Sequence, residues 1–583
     1  MFASMLGSFL TFLLLLFVIF LIIAGIVSSV SSDKLVAVSN NSVLYARFDK
    51  PISERTSNNP FENINFASMT SKGNIGLNDI LDDIKKAKKD SRIKGIYLDL
   101  STIPAGVATI EEIRNSLIDF KSSGKFIFAY SEGYSQGSYY VASVADKIFL
   151  NPQGTIDFKG LNAEVMFLKG TLEKLGIEPQ IIRNGKFKSA VEPLILDKMS
   201  DENRKQVQGY VGAIWNSILS GISKSRNVEV KDLQNIADSL LIQNAEDALK
   251  YHLVDQLAYQ DQFYSELSDK LGLTGKQEIK TVNIVKYTKA YVKDDKKYVS
   301  EKIAVIYATG EIFEGKGNDK KIGSITTSEA IRKARLDEKV KAVVLRVNSP
   351  GGSALASDVI WREVYLTKKI KPVIVSMGDV AASGGYYISC AADSIVAEPN
   401  TITGSIGVFG LLLNAKKFFN DKLGITFDNV KTGNYADIGS IDRPLTASER
   451  AIVQKSVEKV YDTFITRVSE GRHISKALVD SIGQGRVWSG IDAKERGLVD
   501  ILGGIDTAIV IAAKMAKIDK YRIVYLPEQK EPLAEFLENL SDDAETSFLK
   551  SKVGDTYKYY SQLQSLLKMN GIQARMEYNV EIY

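Results

Sequence analysis

Two stretches of this chain repeat one another at a spacing of 247 residues. Ile84-Lys85-Lys86-Ala87 returns as Ile331-Arg332-Lys333-Ala334, and Ala145-Asp146-Lys147-Ile148 returns as Ala392-Asp393-Ser394-Ile395. Pro152 meets Pro399 at the same spacing. A one-residue indel moves the spacing to 248, where Leu175-Gly176-Ile177 meets Leu423-Gly424-Ile425. Further on, residues 248–255 match 493–500, and both segments end Leu-Val-Asp. Solenoid repeats have periods of about 20–50 residues, so a period this long calls for two homologous domains instead.

Within each copy, apolar runs of strand length alternate with helical stretches. The pattern predicts a strand over 341–347, a helix over 357–369 and a strand over 372–377. Such alternation gives an α/β fold with right-handed βαβ crossovers. The boundaries read as an N-terminal membrane anchor over 1–32, a first domain over 33–270, a Lys-rich link over 271–300 and a second domain over 301–520. A charged, helix-prone tail follows over 521–583, with a strand-like end from Arg575 onward.

With 583 residues, 45% of them hydrophobic, the chain can fill two sizeable cores. Its 74 basic and 70 acidic residues nearly balance, which points away from nucleic acid. The single Cys390 excludes an intrachain disulfide and reads as a small buried residue. Two histidines and one cysteine make a protein-built metal site an expected absence, and no cofactor motif occurs.

No charged residue precedes Asp33, and residues 9–27 are almost wholly apolar. About 20 such residues span a bilayer, whereas a cleaved signal peptide has an apolar core of about 7–15. The stretch is therefore expected to be an uncleaved single-pass anchor, although Ser29-Val30-Ser31 would serve as a cleavage site. A span so near the start is expected to act as a signal-anchor, with the domains outside the cytoplasm.

The two copies differ where chemistry is expected. Ala382-Ser383-Gly384-Gly385-Tyr386-Tyr387 follows an apolar strand and opens a helix, and its counterpart is Ser135-Gln136-Gly137-Ser138-Tyr139-Tyr140. Ser383 thus faces Gln136. The glycines after Ser383 let a substrate backbone approach, and the N–H of Gly384 can donate to a developing oxyanion. A second donor is expected from Asn348-Ser349-Pro350-Gly351-Gly352-Ser353. The first copy has Ser101-Thr102-Ile103-Pro104-Ala105 there, without the glycine pair.

A serine hydroxyl needs a base. His252 and His473 stand in no recognisable triad and read as surface or capping residues. The alternative is a lysine kept neutral by burial and by lack of a carboxylate partner. Asn184-Gly185-Lys186-Phe187-Lys188 corresponds to Thr432-Gly433-Asn434-Tyr435-Ala436. Lys188 is present in the copy that lost the serine, and Ala436 stands in the copy that kept it. Complementary loss fits one site assembled across both domains, with Lys186 as the competing candidate.

These motifs resemble the signal peptide peptidase A (protease IV) family in its long, duplicated form. Gly185-Lys186-Phe187-Lys188-Ser189-Ala190-Val191-Glu192-Pro193 is similar to its lysine motif, and residues 378–387 to its serine motif. Thr403-Gly404-Ser405-Ile406-Gly407 and Gly485-Arg486-Val487-Trp488-Ser489-Gly490 also fit. The resemblance implies two Clp/crotonase-like domains on a transmembrane helix, with Ser383 as nucleophile and Lys188 as general base. It further implies Ser405 orienting the lysine, and oxyanion donors at Gly384 and at Gly351 or Gly352. The substrates implied are signal peptides and other apolar peptides. The assembly implied is a homotetramer on the bacterial inner membrane, facing the periplasm. Two other classes compete: a catalytically silent membrane scaffold that binds peptides, and a crotonase-type acyl-CoA enzyme, whose chemistry needs no Ser/Lys pair.

Overall fold

The computed structural model describes residues 5–15, 17–18, 35–58, 64–65, 70–71, 75–275, 277–292, 299–529, 571–576 and 581–582. The duplication reappears as topology. The first sheet runs Lys280–Asn283, Ser42–Ala46, Ile93–Asp99, Phe126–Ser131, Lys147–Leu150, Gln256–Leu257, with every neighbouring pair parallel. The second runs Arg522–Leu526, Lys302–Thr309, Val340–Ser349, Val373–Ala382, Ser394–Ala397, Ile501–Leu502 in the same order and sense.

Parallel neighbours need crossover connections, and helices supply them at matching places. Leu77–Lys89 corresponds to Ser324–Leu336, and Val107–Lys121 to Ala354–Lys368. Helices cover both faces of the second sheet, so its strands read as continuous apolar runs such as Val343-Val344-Leu345. The faces of Lys302–Thr309 serve different cores. Ile303 and Val305 pack with the first repeat, while Ala304 and Ile306 pack within the second.

A further sheet joins the repeats. Glu178–Asn184 pairs antiparallel with Val408–Asn414, from Asn184 opposite Val408 to Glu178 opposite Asn414. Its order continues through Ile572–Arg575, Gly351–Ser353, Glu311–Phe313 and Lys321–Gly323.

The mixed α/β class is as expected, and several element bounds differ. The helix expected over 357–369 is Ala354–Lys368, because the Ser353 hydroxyl accepts the Ala356 N–H and starts it earlier. The strand expected over 372–377 runs on to Ala382, held by pairing of Val380, Ala381 and Ala382 with Ile402–Gly404. The segment 271–300 is not simply a link, since Lys280–Asn283 forms an edge of the first sheet. Nor is 521–583 all tail. Arg522–Leu526 closes the second sheet, and Ile572–Arg575 lies inside the joining sheet.

Residues 5–15 are helical. No helix among the described residues is long and apolar enough to cross a membrane. The span expected over 9–27 lies largely outside the described residues.

Candidate active site

Ser383 sits between the strand Val373–Ala382 and the helix Gly384–Ser389 and is fully buried. Its backbone has φ 55° and ψ −112°, a conformation an L-residue holds only when its surroundings impose it. Two bonds do so. The Ser383 N–H donates to the Gly404 carbonyl at 2.8 Å, and the Ser383 carbonyl accepts from Tyr387 N at 2.8 Å. The sharp turn presents Oγ at the start of a helix, where first-turn N–H groups lack intrahelical acceptors.

Lys188 comes from the other repeat. It follows the strand Glu178–Asn184 and precedes the short 3-10 turn Ser189–Val191, and it is 1% exposed. Its Nζ lies 2.8 Å from Ser383 Oγ, 3.0 Å from Ser405 Oγ and 3.2 Å from the Ser405 carbonyl. Ser405 also has a positive φ, of 49°, and its N–H donates to the Arg486 carbonyl at 2.7 Å. Lys186, the rival base, is exposed. Burial thus separates two lysines that sequence alone leaves as alternatives.

The loop 485–488 is the bed on which Lys188 lies. A Cβ on Gly485 would stand 2.7 Å from the Cα, Cβ and N of Lys188, and φ there is +82°. Phe187 N–H donates to the Gln484 carbonyl at 2.9 Å, and Arg486 stacks between the Phe187 and Trp488 rings. Gln206 ties the same parts together. Its amide donates to Ser189 Oγ at 2.6 Å and to the Phe187 carbonyl at 3.2 Å, and its oxygen accepts Val487 N–H at 3.2 Å.

The comparisons with known proteins fall on this frame. The profile of peptidase family S49 matches residues 119–274 and 365–519, once in each repeat. The chain belongs to peptidase family S49. It is 40% identical over 463 residues to Protease 4 of Salmonella typhi, covering 78% of this chain and 74% of that protein. It is 36% identical over 518 residues to Protease 4 of Haemophilus influenzae, covering 86% and 81%. With the chloroplastic serine protease SPPA of Arabidopsis thaliana it shares 34% identity over 522 residues, covering 87% and 75%. The protein is a serine-type peptidase.

In this S49 peptidase the remaining sequence candidates separate clearly. Gly384 opens the helix after Ser383, and Gly351 and Gly352 form a short strand beside it. The Gly351 N–H donates to Ser349 Oγ at 3.1 Å, so it is engaged within its own loop. His473 is the left-handed cap ending the helix Ala447–Arg472, and His252 has φ 60° in the turn where the second copy has Gly497. Among the described residues, Ser383 Oγ meets Lys188 Nζ and, at 3.4 Å, the Gly407 carbonyl. Cys390 is fully buried, and burial pushes its thiol up to about 12, which suppresses the reactive thiolate at neutral pH. No group of three or more His, Cys, Asp or Glu is placed to hold a metal among the described residues.

In the first copy the position matching Ser383 has a structural role. Gln136 Oε1 accepts Lys159 N and Gly160 N, each at 3.2 Å, pinning a loop to the helix Gln136–Ala142. Ala436, opposite Lys188 in the repeat, is exposed.

Sequence reasoning missed three groups that hold the site together: Gln206, Asp379 and Arg346. Asp379 accepts both the N–H and the hydroxyl of Thr109, at 2.9 and 2.7 Å, so the strand that carries Ser383 caps a helix of the first repeat. Arg346 is fully buried and bonds Glu54 at 2.7 Å and Glu112 at 2.6 Å, both from the first repeat. Asn348 Nδ2 donates to Glu54 at 2.7 Å and Asn348 Oδ1 accepts Val380 N–H at 3.1 Å, so the cluster reaches the glycine loop. One signal was available for Arg346, a lone charge inside the apolar run Val343-Val344-Leu345-Arg346-Val347.

Proposed function

We propose that this S49 peptidase is a Ser/Lys-dyad endopeptidase of Clp/crotonase-like fold that degrades apolar peptides, cleaved signal peptides among them. The observation that carries the reading is the buried 2.8 Å contact between Lys188 Nζ and Ser383 Oγ. Desolvation disfavours the charged ammonium relative to the neutral amine, and only the amine can accept a proton. Lys188 then takes the Ser383 hydroxyl proton as Oγ attacks the peptide carbonyl carbon. The tetrahedral oxyanion is met by Gly384 N–H at the helix start and by Gly352 from the glycine loop. Collapse breaks the C–N bond, and Lys188 returns the proton to the leaving amine. Water repeats the cycle on the acyl-enzyme, releasing the acid and restoring Ser383.

Ser405 fixes the direction of the amine, since its hydroxyl and carbonyl both lie within hydrogen-bond reach of Nζ. A site that must keep a lysine neutral favours apolar walls, and such walls accept Leu- or Ala-rich segments. The charge-free stretch over 9–27 supports a single membrane anchor, and a periplasmic placement of the domains is proposed with it. A homotetramer is part of the same proposal.

The test is cleavage of a synthetic apolar signal peptide by detergent-solubilised protein. Wild type and Lys186→Ala are expected to agree within about threefold, since solvated surface charges contribute little. A Lys186→Ala loss as deep as that of Lys188→Ala would assign the base wrongly, and an inert wild type would favour a peptide-binding scaffold.

A further inference from the structure

A cleft of about 370 Å³ lies where the helix Asp201–Arg226 of the first repeat meets Arg486, Val487 and Trp488 of the second. That volume falls in the range of ligand pockets, about 300–1,000 Å³. Gln206 reaches from the cleft wall to the Phe187 carbonyl and Ser189 Oγ, so the cleft backs onto the turn that carries Lys188. The helix keeps the space open. Gly209 and Gly212 both line it, and a Cβ built on either would meet nothing within 4 Å. Glycine is disfavoured inside a helix, and no neighbouring protein atom requires it at these two positions. What the pair provides is room.

The charges around this space do not balance. Arg496 is engaged: its Nη1 donates to the Asp492 carbonyl at 2.6 Å and pairs with the Asp492 carboxylate at 3.5 Å. Asp492 Oδ2 also accepts from Ser489 Oγ at 2.8 Å. Arg486 has ring contacts instead, with its Cζ 5.0 Å from the centre of the Phe187 ring and 4.1 Å from that of Trp488. Its Nε is buried and has no hydrogen-bond partner among the described residues. Burial first, and then the nearby Arg496, hold Arg486 below its ordinary value, and Asp492 does not cancel them. An anion reaching this guanidinium would stabilise its charge. One uncompensated cation matches a monoanion, and its planar fork matches the two oxygens of a carboxylate. Beside it, Ala213, Val487 and Trp488 supply apolar wall.

We propose that this cleft is a second binding site, which takes the free C-terminal carboxylate of a short apolar peptide on Arg486 and the last side chain of that peptide against Trp488. Each hydrolysis by a peptidase leaves a new carboxylate of this kind, so the ligand class is one that the protein itself produces. Asn216, exposed on the same helix, offers its amide to the peptide backbone. Binding here needs neither Ser383 nor Lys188, so it stands apart from the dyad reading.

The experiment is calorimetry on the Ser383→Ala protein with three probes: N-acetyl-Ala-Leu as the free acid, the same dipeptide as its C-terminal amide, and inorganic phosphate. The acid is expected to bind with Kd about 0.1–1 mM, as suits a ligand of this size. The amide should bind at least about tenfold more weakly, since it lacks the charge-assisted pair with Arg486. Arg486→Gln is expected to abolish the difference between acid and amide. Because Arg486 also stacks on Phe187, a second variant leaves it in place. Gly212→Leu fills the cleft from a helix position with open space around it, and is expected to weaken binding of the acid at least about tenfold. Circular dichroism checks folding, and Gly212→Leu decides the matter if Arg486→Gln does not fold. Equal binding of acid and amide overturns the proposal. So does a preference for the acid that survives in the folded variants, which would place the dipeptide elsewhere on the protein. Phosphate binding as tight as that of the acid, and lost in the same variants, overturns it in favour of a site for inorganic anions.

Discussion

Ser383→Ala and Lys188→Ala are each expected to lower kcat/KM on an apolar peptide by a factor on the order of 10⁵ to 10⁶, and the double variant to fall no further. In the proposed mechanism the two side chains act on one proton. Without the lysine amine, Ser383 Oγ has no group to accept its hydrogen at 2.8 Å; without the hydroxyl, the amine has nothing to activate. Losses that simply added in the double variant would mean that the groups work in separate steps. Ser405→Ala should be milder, because it removes one of two Ser405 contacts to Nζ and leaves the carbonyl at 3.2 Å.

The largest stability effect is expected at Arg346. Arg346→Ala leaves Glu54 and Glu112 buried without their guanidinium, and breaking such a cluster costs about 3–5 kcal/mol. The loss should depend on pH. Burial raises Glu112 above its ordinary value of 4.5, and Arg346 opposes that rise. Removing Arg346 raises it further, so the folded variant retains a proton that the unfolded chain releases. Stability of the variant therefore falls as pH rises from about 4.5 through the raised value. Urea unfolding at pH 5 and pH 8 checks the sign, with the larger deficit expected at pH 8. Replacing all three residues by apolar ones of similar volume should recover much of the loss. A triple variant as unstable as the single one would show that the cluster is not the cause.

The same cluster shows which parts of the fold were legible. The duplication was readable because the strand-forming phrases at offset 247 became equivalent strands, with Ile93–Asp99 and Val340–Ser349 in matching sheet positions. Lys188 became visible through an asymmetry between copies, the exchange of Lys188 with Ala436 against Ser383 with Gln136. Bonds between repeats left no such trace, because Glu54, Glu112 and Asp379 carry no local pattern that names their partners. Lys280–Asn283 was hidden by lysines that suit an exposed sheet edge as well as a linker. Ile572–Arg575 was missed because a four-residue strand gains meaning only from neighbours more than 150 residues away.

In the proposed mechanism one nucleophile and one base from different repeats form a single site. Labelling with a fluorophosphonate, mapped by peptide mass spectrometry, tests it most directly. A single adduct on Ser383 is expected in wild type, and an adduct formed far more slowly in Lys188→Ala while Lys186→Ala labels normally. An adduct on another residue, or undiminished labelling of Ser383 in folded Lys188→Ala, would contradict it.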